Sequence, residues 1–399
     1  MRSISNKRIE SIDVLRGIVM VIMALDHVRD YFHVTANTAD PLDVANPNVS
    51  LFFTRWVTHF CAPIFVFLSG TSIYLQSLKK TKKELGLFAI KRGIWLILVE
   101  WTLVAFAWTF NPYFSIFPFQ VIWAIGISMV LLGVMLLFQL PFNGIVGIGA
   151  LIVLGHNALD FIEADKGFVA NFWWDLFHSG TFKFYTVVGN HNALLVYPFL
   201  PWTGLMFLGY GLGKRFESRV TPEQRVKQLR ITGVLLVLLF ILLRFSNWYG
   251  DPHDWSLQPT FLQTLLSFLK VNKYPPSLLF MCITIGAGLL ALSFLEHVKN
   301  RFTAVLQTYG RTAFFYYILH LYLIHLIAVP FYFIHGHTMT EVWNIGKNFP
   351  FLFVVPGQGE NLISVYILWV VIVAALYPLC KWYDMYKTKH KEKWWLSYL

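Results

Sequence analysis

Residues 13–33, DVLRGIVMVIMALDHVRDYFH, form an apolar run long enough to cross a bilayer, yet they carry Arg16 near one end and Asp26, His27, Arg29 and Asp30 near the other. A hydrocarbon core of about 30 Å takes about 20 residues of helix. Ionisable groups at that depth are costly and usually face a protein interior or a water-filled cavity. The stretch therefore predicts a membrane helix with one functional face. Arg16 and His27 are 11 positions apart. At ~100° and ~1.5 Å per residue both fall on that face, roughly 16.5 Å apart along the axis.

The rest of the chain supplies the same setting. Of its 399 residues 56% are hydrophobic, 18% aromatic and 13% charged, with mean hydropathy +0.56. Soluble chains carry about 25% charged residues. This composition predicts an all-α, polytopic integral membrane bundle, read as one domain over 1–399. About ten spans are expected, near 12–32, 56–77, 87–109, 118–140, 143–162, 195–213, 230–247, 277–296, 311–334 and 362–383. The segment 256–270 is amphipathic and short, which suits an interfacial helix. Residues 171–192 are too polar to span and suggest a re-entrant or surface lid. No cleavable leader is expected, because the first apolar segment is long and lacks a small-residue cleavage site.

Net charge is +11, which raises the question of a nucleic-acid partner. With the N-terminus cytoplasmic, 24 of the 32 Lys and Arg collect on the inner side. They include Arg2, Lys7, Arg8, the KKTKK run at 79–83, the 214–230 loop and the tail. That alternation is the positive-inside pattern. It places both termini in the cytoplasm (1–11 and the basic tail 384–399) and removes the need for nucleic acid. Cys61, Cys282 and Cys380 have no paired spacing, so neither a disulfide framework nor a metal motif is expected. HGH at 335–337 lacks partners in register. Thr221-Pro222-Glu223-Gln224 reads as a capped helix start.

Other polar positions add candidates, each weighed against a structural role. Arg16 could snorkel to headgroups, and His27 could be a satisfied bundle histidine. His59 opens the second span level with His27. Ser69 more readily bonds back to its own helix, and Gly70 permits close packing. Glu100 must face something polar. Gln120, Trp123 and Ser128 form a polar strip, while Asn157 and Asp160 approach the outer end of the fifth span. Tyr316 and His320 share a helix face, with His325 about 140° away. Lys273 and Tyr274 precede Pro275 and Pro276, which suit a helix start.

The spacing from Arg16 to His27 resembles the Arg-x10-His signature of the membrane acyltransferase-3 group, and APIFVFLSGTS (62–72) is similar to the stretch that follows it there. SIDVLRGIVMVIMALDHVRDYF (11–32) more closely resembles bacterial proteins related to heparan-α-glucosaminide N-acetyltransferase. So do VIWAIGISM (121–129), PWTGLMFLGYGLG (201–213), KYPPSLLF (273–280), GRTAFFYYILHLYLIH (310–325) and LYPLCKWY (376–383).

The resemblance implies transfer of an acetyl or other acyl group from cytosolic acyl-CoA, as co-substrate and without a metal, to an extracytoplasmic or lipid-linked carbohydrate. It also implies a multi-pass protein of a bacterial inner membrane, in contact with lipid, and leaves oligomerisation open. On this reading His27 is the general base, since a histidine titrates near neutral pH. Asp26 or Asp30 orients it, and His33 and His59 are rival histidines. Arg16 meets a CoA phosphate. The substrate side draws further on Gln120, Trp123, Asn157, Asp160, Lys273 and His320. A proton-coupled or solute transporter, or a non-catalytic scaffold, is the alternative.

Overall fold

The computed structural model describes residues 9–180, 182–346 and 349–397, so Arg2, Lys7, Arg8 and Lys347 of the charge pattern lie outside the described residues. Helix α1 (Glu10–Phe32) carries Glu10 and Asp13 in its first turn, where the helix dipole favours negative charge. Asn48 caps α2 (Val49–Thr58), which runs into α3 (Cys61–Ser77). Helix α4 (Lys82–Val99) starts on a Thr81–Glu84 capping box and passes through a π-turn, Glu100–Val104, into α5 (Ala105–Thr109). Helices α6 (Val121–Leu137) and α7 (Phe142–Gly155) follow, and a 3-10 turn, His156–Leu159, links α7 to α8 (Asp160–Glu163). After α9 (Phe172–Trp174) come α10 (Phe199–Gly213), α11 (Pro222–Ser246), α12 (Phe261–Leu269) and α13 (Leu278–Leu295). Helices α14 (Arg301–Arg311), α15 (Ala313–Ile334), α16 (Met339–Ile345) and α17 (Leu362–Lys389) complete the chain.

Among the described residues, six helical stretches are long and apolar enough to cross a membrane: Val49–Ser77, Phe142–Glu163, Pro222–Ser246, Leu278–Leu295, Ala313–Ile334 and Leu362–Lys389. Val121–Leu137 is apolar but shorter. The other three expected spans fall on α1, the α4–α5 rod and α10. The first two carry several charges each, and α10 has only 15 residues. Length and composition thus account for six spans, not ten.

The chain is mostly helical but not all-α. Strands β1 (Ile116–Phe119), β2 (Lys183–Val188) and β3 (His191–Leu195) form a sheet in the order β1-β3-β2. Strand β1 runs parallel to β3 with Ile116 opposite Asn192, and β2 pairs with β3 antiparallel. The KFYTVV run is β-branched and aromatic, which suits a pleated surface. Gly189, at φ 54°, supplies the positive-φ turn that closes the hairpin. Residues 171–192 thus comprise a short helix, a π-turn (Asp175–Ser179) and most of a hairpin. Pro275 and Pro276 do not begin a helix either. Ser277 is the N-cap of α13, its side chain accepting from the Phe280 amide.

One smaller expectation holds in detail. Thr221 and Gln224 form a reciprocal capping box with Pro222 at the first turn of α11. The amphipathic 256–270 segment contains α12, capped by Thr260.

Helix α1 sits at the centre, packed by α3, α13, α14, α15 and α17. Close backbone approach makes this crowding feasible. A methyl group on Gly17 would overlap the Leu306 carbonyl of α14, and one on Gly310 would overlap the Asp13 carbonyl of α1. Gly70 of α3 and Gly209 of α10 form a second such crossing, against the Met206 and Phe67 carbonyls. Small residues at helix crossings are the usual means of association where lipid removes the hydrophobic drive.

Candidate active site

Late in α1 the His27 imidazole turns toward α15, where its Nδ1 lies 2.7 Å from His320 Nε2. The rings are near-parallel, with centroids 5.0 Å apart. On its other side His320 Nδ1 lies 2.9 Å from the Tyr316 carbonyl oxygen. A carbonyl only accepts, so His320 Nδ1 carries the proton and Nε2 offers its lone pair. His27 Nδ1 must then donate, which leaves the His27 Nε2 lone pair available as a base. Trp108 packs edge-on against the His27 ring at 4.9 Å, and Tyr317 at 6.3 Å.

This arrangement corrects the expected orienting group, because the imidazole hydrogen-bonds to neither carboxylate. Asp26 Oδ1 accepts from Thr58 Oγ1 at 3.0 Å and pairs with Arg29 at 3.0 Å. Its Oδ2 pairs with Arg55 of α2. Asp30 pairs with Arg29 at 2.5 Å. Adjacent helix residues point about 100° apart, which sends Asp26 to α2 while His27 faces α15. The buried His320, expected on the substrate side, is the side chain hydrogen-bonded to His27.

A cationic wall adjoins this point. Arg29, Arg55 and Lys273 all act on Asp26 electrostatically. His59 is 3% exposed, its Nδ1 has no hydrogen-bond partner among the described residues, and its ring packs on Phe280. Lys273 lies over the Tyr274 ring at 5.1 Å. Burial alone would raise the Tyr274 phenol, but the Lys273 and Arg55 charges outweigh it and hold the phenol below its ordinary value. His33 closes α1, bonded to Thr35 and bridged to Glu360. Burial first, and then the Arg29 charge, holds its imidazole below the usual value.

The remaining candidates divide. Toward the start of α1, Arg16 donates to Ser72 Oγ of α3 at 2.9 Å and to Asp13 at 3.3 Å. Gln120 is the N-cap residue of α6, and Trp123 stacks on Trp101 at 6.1 Å. Ser128 meets Thr203, a packing role, and Ser69 bonds back to Phe65. Glu100 occupies the π-turn, wholly buried, with its carboxylate aimed at the first amides of α6 but outside hydrogen-bond geometry.

Asn157 and Asp160 make their contacts in a second polar cluster. Asn157 Oδ1 accepts from the Leu278 amide at 2.8 Å, and its Nδ2 donates to Asp160 at 2.7 Å. His325 belongs to neither group, since its nitrogens meet the Ala107 and Leu352 carbonyls. His337 bonds Glu341 and Gln358 instead of a third ligand. Sequence reading missed Trp108, Thr58 and the role of Arg55. No local signal marks Trp108. A cation on the amphipathic α2 was a usable sign for Arg55.

A comparison with curated proteins finds no match. The family described as heparan-alpha-glucosaminide N-acetyltransferase, catalytic, matches residues 8–244, more than half of the chain, and the chain belongs to that family.

Proposed function

We propose, from that membership, that this chain is a membrane acetyltransferase that takes an acyl group, most simply acetyl, from acyl-CoA at the cytosolic face. The acceptor is a terminal glucosaminide or another carbohydrate beyond the membrane or on a lipid. The reading uses ten helical passes: the six long apolar helices together with α1, the α4–α5 rod, α6 and α10. The loop-by-loop excess of Lys and Arg puts both termini in the cytoplasm, and a bacterial inner membrane is the setting it fits.

The observation that carries the reading is the chain from the Tyr316 carbonyl through His320 to His27. It leaves one imidazole lone pair, on His27 Nε2, as a base held by a second ring. As the acceptor oxygen or nitrogen attacks the thioester carbon, His27 Nε2 takes its proton. The carbon–sulfur bond breaks, and the imidazolium returns the proton to the departing CoA thiolate. His320 stabilises the transient positive charge, as an orienting partner does in a catalytic triad. Arg16 supplies a guanidinium for a CoA phosphate, with Ser72 holding it in place. An apolar void of about 10 Å³ lies between α1, α3, α10 and α13, lined by Leu15, Ile64, Leu68 and Leu289. That is at most the size of one water, so this void as it stands does not hold a pantetheine arm.

The test uses full-length protein in liposomes, labelled acetyl-CoA and a glucosamine-terminated oligosaccharide. The wild type transfers label, and His27→Ala lowers the rate by about 10²- to 10⁴-fold. Equal rates in the two proteins would overturn the assignment of His27.

A further inference from the structure

We infer that the second polar cluster is a binding site for a divalent transition-metal ion of the zinc class, held by His156 Nδ1, His178 Nε2 and Asp160 Oδ1, with Glu163 fixing the tautomer of His178. His156 and Asp160 are four positions apart across the turn joining α7 to α8, and His178 reaches them from the π-turn Asp175–Ser179. Asp160, Glu163 and His178 each present a ligand-type atom within 4.8 Å of one another. His156 Nδ1 lies 3.3 Å from His178 Nε2, and His178 Nε2 lies 3.9 Å from Asp160 Oδ1. Donors about 2.0–2.1 Å from a tetrahedral zinc stand roughly 3.3 Å apart. The histidine pair already has that spacing, and the carboxylate oxygen stands about 0.6 Å beyond it from His178 Nε2, 3.9 Å against 3.3 Å.

The surrounding hydrogen bonds determine which atoms face inward. Glu163 Oε1 accepts from His178 Nδ1 at 2.8 Å, from Ser179 Oγ at 2.6 Å and from Trp174 Nε1 at 2.6 Å. Three donors on one oxygen hold Glu163 as a carboxylate. His178 Nδ1 therefore carries the proton, and its Nε2 lone pair points at His156 and Asp160. Asn157 occupies the other oxygen of Asp160 at 2.7 Å, so Oδ1 is the one turned inward. His156 and His178 are 3% and 0% exposed. A lone pair on one ring and a carboxylate oxygen thus face each other in a buried space. One proton on His156 Nδ1 can satisfy the contact to His178 but not the one between His178 Nε2 and Asp160, whereas a dication satisfies both. A carboxylate on the far nitrogen of a ligating histidine is the usual outer support of such a centre.

The site braces the wall that carries Lys273 and Tyr274. Asn157 ties the cluster to the first amide of α13, and Asp251 receives the Ser277 hydroxyl at 2.7 Å and the Asn272 amide at 2.9 Å. Phe182, just past the π-turn, packs on Tyr274 at 4.8 Å. Sequence spacing concealed the site, because its ligands are split between a helix end and a turn 18 residues farther on.

The test is independent of acyl transfer. Full-length protein purified without a histidine tag is stripped with chelator and titrated with Zn²⁺, and with Co²⁺ followed by its visible absorption. One ion binds per chain, and Co²⁺ gives tetrahedral bands. Glu163→Gln keeps every ligand yet weakens binding by about 10- to 100-fold, and the double variant His156→Asn/His178→Asn loses saturable binding. Folded wild type that takes up less than about a tenth of an equivalent of either ion, or a folded double variant that binds as the wild type does, would overturn the proposal.

Discussion

His27 and His320 lie with their rings 12° from parallel and with Nδ1 of the first 2.7 Å from Nε2 of the second. Two neutral imidazoles can share this bond in only one sense once the Tyr316 carbonyl has taken the His320 Nδ1 proton. The imidazole late in α1 thus takes its tautomer from α15, about 290 residues away in sequence.

Removing that support should slow chemistry and spare binding. His320→Ala lowers kcat on the order of 10- to 10³-fold, by comparison with the loss of a triad's orienting member, with KM for acetyl-CoA little changed. His320→Gln, whose amide oxygen can accept from His27 Nδ1, retains more activity than alanine. Steady-state kinetics on the two variants checks this, and wild-type kcat in both would exclude an orienting role.

The Asp26 cluster is a matter of stability. Asp26→Asn removes the charge that Arg55 and Arg29 share, leaving Arg29 with Asp30 alone and Arg55 without its ion-pair partner, and breaking such a buried pair costs about 3–5 kcal/mol. Asp30 is more exposed, at 28%, so Asp30→Asn costs within about 1 kcal/mol. Thermal unfolding in detergent ranks the two, and an equal or reversed order would contradict the account.

A reading of sequence alone reached the helical membrane architecture, because apolar length is a local property, whereas Arg16 and His27, placed on one face by 3.6-residue periodicity, bond to different helices, Ser72 of α3 and His320 of α15. It could not name His27's partner. The nearby Asp26 and Asp30 looked suitable, but the angle between successive helix residues directs Asp26 to Arg55 and Thr58, and the choice among partners is made by tertiary packing. His320 was visible as a polar face with Tyr316, but not as the neighbour of His27. The β2–β3 hairpin was hidden for a different reason: its residues are as aromatic as an interfacial lid, and only the strand alternation closed by Gly189 distinguishes them. The Asp160–His178 group draws on two segments of sequence, one expected as a substrate contact and the other as a lid, and spacing alone does not join them.

Tyr274 gives a pH signature. Its folded phenol is held below the ordinary value, so the fold favours the phenolate. The stability it contributes therefore grows as pH rises from the folded pKa toward about 10, the unfolded value. Phenolate absorbance should show one tyrosine ionising before the rest, and Tyr274→Phe should remove that phase. An early phase that survives in Tyr274→Phe would contradict the cationic wall drawn from Lys273 and Arg55.

His33 behaves in the opposite sense. Burial and the Arg29 charge lower its folded pKa, so the unfolded chain binds the proton more readily. Stability is then lost as pH falls through about 6.5 toward the folded value. His33→Gln should flatten the acid limb of a stability–pH curve, and an unchanged limb would remove His33 from that role.

Calorimetric binding of acetyl-CoA to the purified full-length protein, with Arg16→Ala and His27→Ala alongside, tests the central claim most directly. The account predicts saturable binding that Arg16→Ala weakens by about tenfold or more and His27→Ala largely retains. No saturable binding of acetyl-CoA or a longer acyl-CoA by folded wild-type protein would contradict it.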